Sequence, residues 1–286
     1  MRKDFAVIIL SRARADNVKT INTLRRHGYT GEIYIAIDDD DPQIEEYKRI
    51  YGDMVIVQDK KKAREITDLA SNNTSSVVVF ARNYVYEVAE KIGKRYILVL
   101  DDDYTYFFNR FDENRNYITS KVKIINMDAY IKAYLDFFIS ANLDCLAFAQ
   151  TGELLGGENA SVSKIFKEKK LMRKAMNAFF FDIKKPLYFH GRTNEDVNMY
   201  LLEGKIGKKI FTYPRVILQQ ERTQTQTGGL TEVYLDEGTY VKSFYSVIFA
   251  PSCVEVRAMN STYKRLHHHI SWRYAVPKIL DERWKK

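Results

Sequence analysis

Short apolar runs recur through the first hundred positions, each closed by charged or turn-forming residues, and this spacing predicts strands alternating with helices. Phe5–Leu10 reads as a buried strand. Asp16 is placed to cap a helix with Val18, Ile21 and Leu24 on its apolar face, and Gly28 stops that helix. A second strand over 33–37 runs straight into four aspartates and Pro42. Asp41 with Pro42 then opens a helix that presents Ile44, Tyr47 and Tyr51 on one side and ends at Gly52. A strand over 55–57 and a helix over 81–92 closed by Gly93 follow. Residues 96–100 have no polar member after Tyr96, as a central strand requires, and end at Asp101. In the second half the pattern predicts a helix over Met127–Ser140, strands over 145–149 and 178–181, and a helix starting near Asn194.

This alternation predicts an α/β fold with a mostly parallel, twisted central sheet flanked by helices. The chain has 286 residues, 45% hydrophobic and 29% charged, enough for one extended core. It contains no repeat, low-complexity linker or Pro/Gly hinge. A single domain is expected, with a nucleotide-binding half over 1–105 and an acceptor half over 106–286. No stretch approaches the ~18 apolar residues of a membrane span, and the opening MRKDFAVIILSRAR returns to charge too soon for a secretory leader. Cys145 and Cys253 lie far apart in apolar runs and are expected to be buried thiols. These features point to the cytoplasm and to no membrane association.

The formal net charge is +8, and two segments carry much of it. Residues 164–185 hold eight Lys or Arg against two acids, and residues 264–286 seven against two. A polyanion such as nucleic acid is one reading; solvated helix faces are the other.

Asp101, Asp102 and Asp103 directly follow a buried strand, although adjacent carboxylates repel and a turn needs only one. Ligands of open α/β sheets sit outside the carboxyl ends of strands. Hard cations prefer carboxylates and leave positions open for phosphate oxygens, so the triplet is placed to hold Mg²⁺ or Mn²⁺ with a diphosphate. Asp38, Asp39 and Asp40 also end a strand and can accept hydrogen bonds from a ribose or base edge. Arg12 and Arg14 follow the first strand and can reach a diphosphate. Glu195 and Asp196 fall in a first helical turn, where the dipole favours acids, and a carboxylate there can also serve as a general base. His267, His268 and His269 form the densest imidazole cluster of a chain with five histidines, as metal ligands, phosphate contacts or core residues. Gly228 and Gly229 read as a flexible loop.

The order of these motifs is itself recognisable. Ala81-Arg82-Asn83, a helix, then KRYILVLDDDY resembles the segment leading to the metal motif of GT-A glycosyltransferases, the nucleotide-sugar-binding α/β class. That resemblance implies metal ligation by Asp101 and Asp103 with one of His267–His269. It also implies a later acidic motif at Asn194-Glu195-Asp196; taken with the residues above, donor contacts are expected from Arg12, Arg14, Asp38–Asp40, Arg82, Asn83, Asp101 and Asp102, and the base from Asp196 or, failing it, Glu195. ILSRARADNVKT, YIAIDDDDP, NEDVNMY, TQTGGLTEVY, GTYVKSFYSVIFAPSC and HHHISWRYAVPKIL together resemble the TET-associated glycosyltransferases of bacteriophages, over nearly the whole chain. The resemblance implies glycosylation of 5-hydroxymethylpyrimidines in DNA, chiefly 5-hydroxymethylcytosine; a UDP-linked nucleotide-sugar donor is expected with it, and a single base implies inversion. A processive synthase is disfavoured: its Gln-x-x-Arg-Trp motif is absent, the nearest run being Gln219-Gln220-Glu221-Arg222-Thr223. Gly156 and Gly157 are the candidate for the glycine-rich loop of the superfamily. Other acceptors (protein, lipid or polysaccharide), a nucleotidyltransferase and a non-catalytic DNA-binding module are the rival readings.

Overall fold

The computed structural model describes residues 1–68, 78–221, 241–259 and 265–276. In chain order the elements are β1 (Phe5–Leu10), α1 (Lys19–Arg26), β2 (Ile33–Asp38), α2 (Ile44–Tyr51), β3 (Val55–Gln58), α3 (Lys60–Glu65), α4 (Val78–Lys91), β4 (Tyr96–Asp101), β5 (Tyr104–Phe111) and β6 (Tyr117–Lys123). They continue with α5 (Met127–Ser140), β7 (Cys145–Gln150), α6 (Ser161–Lys167), β8 (Asn177–Asp182), α7 (Glu195–Lys205), β9 (Ile210–Gln220), α8 (Val241–Phe249), β10 (Val254–Met259) and β11 (Arg265–Ile270). The chain divides into two compact units: Met1–Asp59, Val85–Pro186 and Ile210–Arg222 form the first, and Lys60–Tyr84, Leu187–Lys209 and Thr223–Lys286 the second. This division differs from the expected halves 1–105 and 106–286. Strands from both sides of residue 105 are hydrogen-bonded neighbours, so one unit keeps them together.

The first unit is built on a nine-stranded sheet in the order β3-β2-β1-β4-β8-β7-β9-β5-β6. Its N-terminal part, β3 to β4, is parallel, as is the β7–β9 pair, and the other ladders are antiparallel. With helices packed on its faces, this is the α/β class that the apolar spacing predicts. All six residues of β1 are buried, as a strand between two parallel neighbours demands. On one face Phe180 packs with Phe5, Tyr134 and Phe148, beneath α1, α2 and α5. On the other, Phe179 stacks on Phe181, which meets Tyr86 of α4.

Several boundaries differ from expectation for identifiable reasons. α1 starts at Lys19 behind Val18, with no side-chain cap, and Asp16 is exposed. α2 starts at Ile44, because Asp41 turns back to accept from the Gln43 amide at 2.8 Å rather than capping a helix begun at Pro42. Gly28 keeps its stop role, with φ of +84°; a Cβ there would lie 2.5 Å from the Ile125 carbonyl oxygen. His27 beside it is a neutral core residue: the Phe107 amide donates to Nε2, so the proton sits on Nδ1, 2.6 Å from the Ile124 carbonyl. Burial lowers its pKa. Cys145 and Cys253 are buried free thiols. Among the described residues no helix is long and apolar enough to cross a membrane.

β9 contains Pro214, which has no amide to donate, and the β7–β9 register shifts where it lies. The buried Tyr134 hydroxyl repairs this break by donating to the Tyr213 carbonyl and accepting from the Val216 amide at 2.8 Å. Tyr134→Phe leaves both backbone groups buried without a partner and is expected to cost about 1–3 kcal/mol. A smaller shift in the denaturant midpoint would mean that the hydroxyl bridge is dispensable.

Candidate functional site

β1 and β4 lie side by side, with Leu10 opposite Asp101, so the loops leaving both strands meet at their carboxyl ends. Asp102 turns inward and is 4% exposed. Ser11 donates to its Oδ2 at 2.6 Å and Arg14 Nη1 to its Oδ1 at 3.0 Å. The Tyr47 hydroxyl from α2 lies 2.7 Å from Ser11 Oγ and accepts from the Arg14 amide at 3.0 Å. Thr20, in the first turn of α1, holds the turn from both sides. Its Oγ1 donates to the Asp101 carbonyl at 2.6 Å and accepts from the Tyr104 amide at 2.9 Å, while its own amide donates to the Asp102 carbonyl.

Asp101 and Asp103 stay partly exposed. Burial, then the charges of Asp101 and Asp102, push the Asp103 carboxyl up to about 7. Burial also raises Asp102, against the opposing effects of Arg14 and Ser11. Two half-open carboxylates flanking a buried one, strained by mutual repulsion, suit a hard cation that keeps positions for other oxygens. No group of three or more His, Cys, Asp or Glu side chains able to hold a metal is formed among the described residues.

The second acidic run is organised by Arg12. Its Nη1 donates to Asp38 at 3.0 Å and to Asp40 at 2.5 Å, and Gln58 donates to the other oxygen of Asp38 at 2.6 Å. Asp39 and Asp40 are exposed, while Asp41 is buried and accepts from the Ala13 amide at 2.8 Å. Arg12, Arg14, Asp38–Asp40 and Asp101–Asp103 are thus gathered on the carboxyl ends of β1, β2 and β4. A separate surface depression lined by Arg2, Lys3, Arg25, Glu32 and Asp53 lies at the opposite ends of β1 and β2.

In the second unit Glu195 and Asp196 open α7, as expected. Glu195 is 5% exposed and paired with Arg82, itself 4% exposed. Burial, then the Glu195 charge, raise the Asp196 pKa well above the ordinary carboxylate range, with Arg82 opposing. Asn83 receives the Phe189 amide at 2.7 Å and donates to the Phe189 carbonyl at 3.0 Å, which fixes the loop leading to α7. Asn194 adopts a left-handed conformation with φ of +53°. Its amide does not cap α7 but donates to the Lys242 carbonyl at 2.8 Å and lies 3.1 Å from His268 Nδ1. That orientation makes His268 Nδ1 an acceptor and places its proton on Nε2.

β10 and β11 form an antiparallel ribbon in which His267 faces Arg257, His268 faces Val256 and His269 faces Glu255. The rings of His267 and His268 lie together, with centroids 4.2 Å apart. His269 Nδ1 lies 3.3 Å from Glu255 Oε1. Gly228 and Gly229 fall outside the described residues. Gly156 and Gly157 form a tight turn, both with positive φ.

Sequence reasoning missed the groups that position the carboxylates. Ser11 and Thr20 stand at the two ends of the SRARADNVKT run, in which only the charged residues stand out, and Tyr47 reads only as part of an apolar face. It also passed over the half-buried His190, whose Nδ1 is 3.2 Å from Asp68, although His190 stands just ahead of the acidic pair.

The sheet order and the acidic strand ends fit the GT-A fold expected from the sequence. The model of the TET-Associated Glycosyltransferase family matches residues 5–229, and the chain belongs to that family. Among solved structures, it is similar to glucosyl-3-phosphoglycerate synthase from Mycobacterium tuberculosis in complex with Mg²⁺ and uridine diphosphate, at 8% identity and TM-score 0.50 over 93% of this chain and 87% of that one. Also similar are S. aureus TarS 1–349 with UDP-GlcNAc (13%, 0.48, 86% and 66%) and the Pyrobaculum calidifontis mannosyltransferase PcManGT with GDP-Man and Mn²⁺ (7%, 0.47, 79% and 59%). No curated protein sequence matches the chain.

Two outcomes follow from the buried carboxylates. Between the ordinary carboxylate value and about 7 the folded chain retains a proton on Asp103 that the unfolded chain has lost, so this group lowers stability as pH rises through that window. Without divalent cation, Asp103→Asn is expected to melt higher than the wild type at pH 8, by a margin that narrows toward pH 5. Added Mn²⁺ should raise the melting temperature of the wild type alone; a margin independent of pH would show that Asp103 is not strained. Glu195→Ala removes the carboxylate paired with the buried Arg82 guanidinium and is expected to cost about 3–5 kcal/mol, whereas Arg82→Met with Glu195→Leu costs less. Equal losses in chemical denaturation would count against this.

Proposed function

We propose that this protein transfers a sugar from a nucleotide-sugar donor, UDP-linked, to the hydroxymethyl group of 5-hydroxymethylcytosine in DNA. The observation that carries the reading is the family match over residues 5–229, supported by the strand-end carboxylates and by the net charge of +8. Asp101 and Asp103 are the residues assigned to Mn²⁺ or Mg²⁺. One of His267–His269 is assigned as a further ligand, and the Glu255 carboxylate beside His269 Nδ1 supports His269. When bound, the cation makes the nucleoside diphosphate a better leaving group.

The chain's own residues do the rest. Asp39 and Asp40, with Asp40 ordered by Arg12, accept ribose hydroxyls. Asp102, with both oxygens already bonded, positions the triplet rather than touching the donor. Asp196 is assigned as the base, with Glu195 held by Arg82 beside it. It takes the proton of the acceptor hydroxyl as that oxygen bonds to the anomeric carbon. The bond from that carbon to the diphosphate breaks with inversion.

The test is mass spectrometry of nucleosides after incubating the protein and Mn²⁺ with DNA containing 5-hydroxymethylcytosine and a panel of UDP-sugars. A hexose or N-acetylhexosamine increment is expected on the modified base alone, absent with unmodified DNA and with Asp103→Ala, and reduced about 10²–10⁴-fold by Asp196→Asn. Tight UDP binding with no increment from any donor would reject the DNA acceptor in favour of protein, lipid or polysaccharide. Release of pyrophosphate would identify a nucleotidyltransferase.

A further inference from the structure

The first unit carries a second apolar cluster, away from the strand-end carboxylates, built from Phe108, Phe111, Ala149, Leu154, Phe166 and Ile217 with their neighbours. Cations roof it. Arg110 lies over Phe108 and Tyr117, at 5.6 and 5.7 Å from the ring centres, and Lys121 lies 4.8 Å over Phe108. Arg115 and Arg215 both lie over Phe166, at 5.2 and 5.4 Å. Three of these side chains are also pinned. Arg110 donates to the Tyr117 hydroxyl at 2.8 Å, Arg215 to the Asp112 carbonyl at 2.7 Å, and Lys121 to Gln219 at 2.7 Å.

The same face continues onto α6, because Phe166 belongs to that helix and packs 5.0 Å from Phe111. Lys164 and Lys167 of α6, and Lys169 and Lys170 just after it, are exposed. Residues 105–123 and 151–174 together hold ten Lys and Arg against five Asp and Glu. Of those acids, Glu153 is paired with Lys174 and Glu168 with Lys170. β6 is the edge of the sheet, and residues 119–123 are all exposed. Lysines on an edge strand discourage pairing with other chains, which accounts for Lys121 and Lys123. It does not account for arginines held over aromatic rings, nor for the lysines on and just after α6.

We propose that this β5–β6–α6 face docks the phosphate backbone of duplex DNA, without reading sequence; the inference rests on DNA being the acceptor. Guanidinium groups already ordered by rings and carbonyls give up little freedom when a phosphate arrives, and exposed lysines add point charges around them. A membrane fits less well. The exposed apolar residue of the strand, Val122, alternates with Lys121 and Lys123 and so points to the other side of the sheet.

The test measures anisotropy of a labelled, unmodified duplex of about 20 base pairs between about 50 and 200 mM salt. It compares the wild type with the variant Lys121→Gln, Lys123→Gln, Lys164→Gln, Lys167→Gln and with a control, Lys48→Gln with Arg49→Gln, on α2. The four-site variant is expected to bind at least about tenfold more weakly and to lose about 2–4 from the salt slope, each phosphate contact contributing about 0.9. Its melting temperature and UDP affinity should match the wild type, and the control should bind DNA as the wild type does. An unchanged slope in the four-site variant would overturn the face while leaving sugar transfer to modified DNA intact. A reduced slope with no transfer to the modified base would uphold the face and reject the acceptor. Wild-type binding to phosphatidylserine–phosphatidylcholine vesicles but not to the duplex would overturn the face in favour of a membrane.

Discussion

The first unit is organised around a carboxylate that cannot reach water. Asp102 follows a strand buried between β1 and β8, and an ionised carboxyl that is 4% exposed must be met by donors or give up its charge. Ser11 and Arg14 meet it, and to do so the loop after β1 must fold back over the end of β4. Ala13 is consequently held at φ of +52°, a conformation disfavoured for a residue with a side chain by roughly 1–2 kcal/mol. The buried carboxylate of Asp41 compensates by accepting the Ala13 amide. One inward side chain thereby sets the loops of β1, β2 and β4, and their outward carboxylates are left clustered.

Much of this architecture was legible in the apolar spacing, because strands covered on both faces cannot hide their composition. β1 and α5 fall where the pattern puts them, and β2 and β4 extend by one residue, to the aspartate that ends each. The later strands were opaque for physical reasons. β5 mixes aromatic and polar residues because one side of it packs on the second apolar cluster beneath a layer of cations. β9 contains a proline that in a sheet normally argues against a strand, and only Tyr134, distant in sequence, makes it tolerable. The cap assigned to Asp41 failed because a sequence shows that an aspartate can cap, not that other backbone amides claim it first, and Asp16 is simply exposed.

The candidate site was legible as residue types and opaque as roles. Three consecutive aspartates look equivalent on paper, yet alternation and burial make the middle one a brace and the outer two half-open groups. The histidine triplet divides too. His267 and His268 lie ring to ring and His268 answers Asn194, while His269 lies near Glu255. In the second unit Arg82 and Asn83 are adjacent on α4 and tie down two points of one segment, Glu195 through charge and Phe189 through its backbone. The position of Asp196 is inherited from that pair of anchors.

Repulsion within the aspartate triplet is a cost that packing alone does not explain. A fold selected only for stability would replace Asp103, whose carboxyl is pushed up to about 7 by burial and then by its charged neighbours, with a neutral residue. Local conflict of this kind is expected where a bound group later supplies the missing charge, since the free energy withheld on folding is returned on binding. Positive charge, by contrast, is gathered where it is stable without a ligand, on aromatic rings and backbone carbonyls of the β5–β6–α6 face. The two charge clusters therefore differ in kind: the acidic one is held under strain, and the basic one is already satisfied and ordered. A strained cluster responds to a ligand with a change in protonation and stability, whereas an ordered cluster presents the same surface before and after contact. That difference separates a site suited to chemistry from a surface suited to docking.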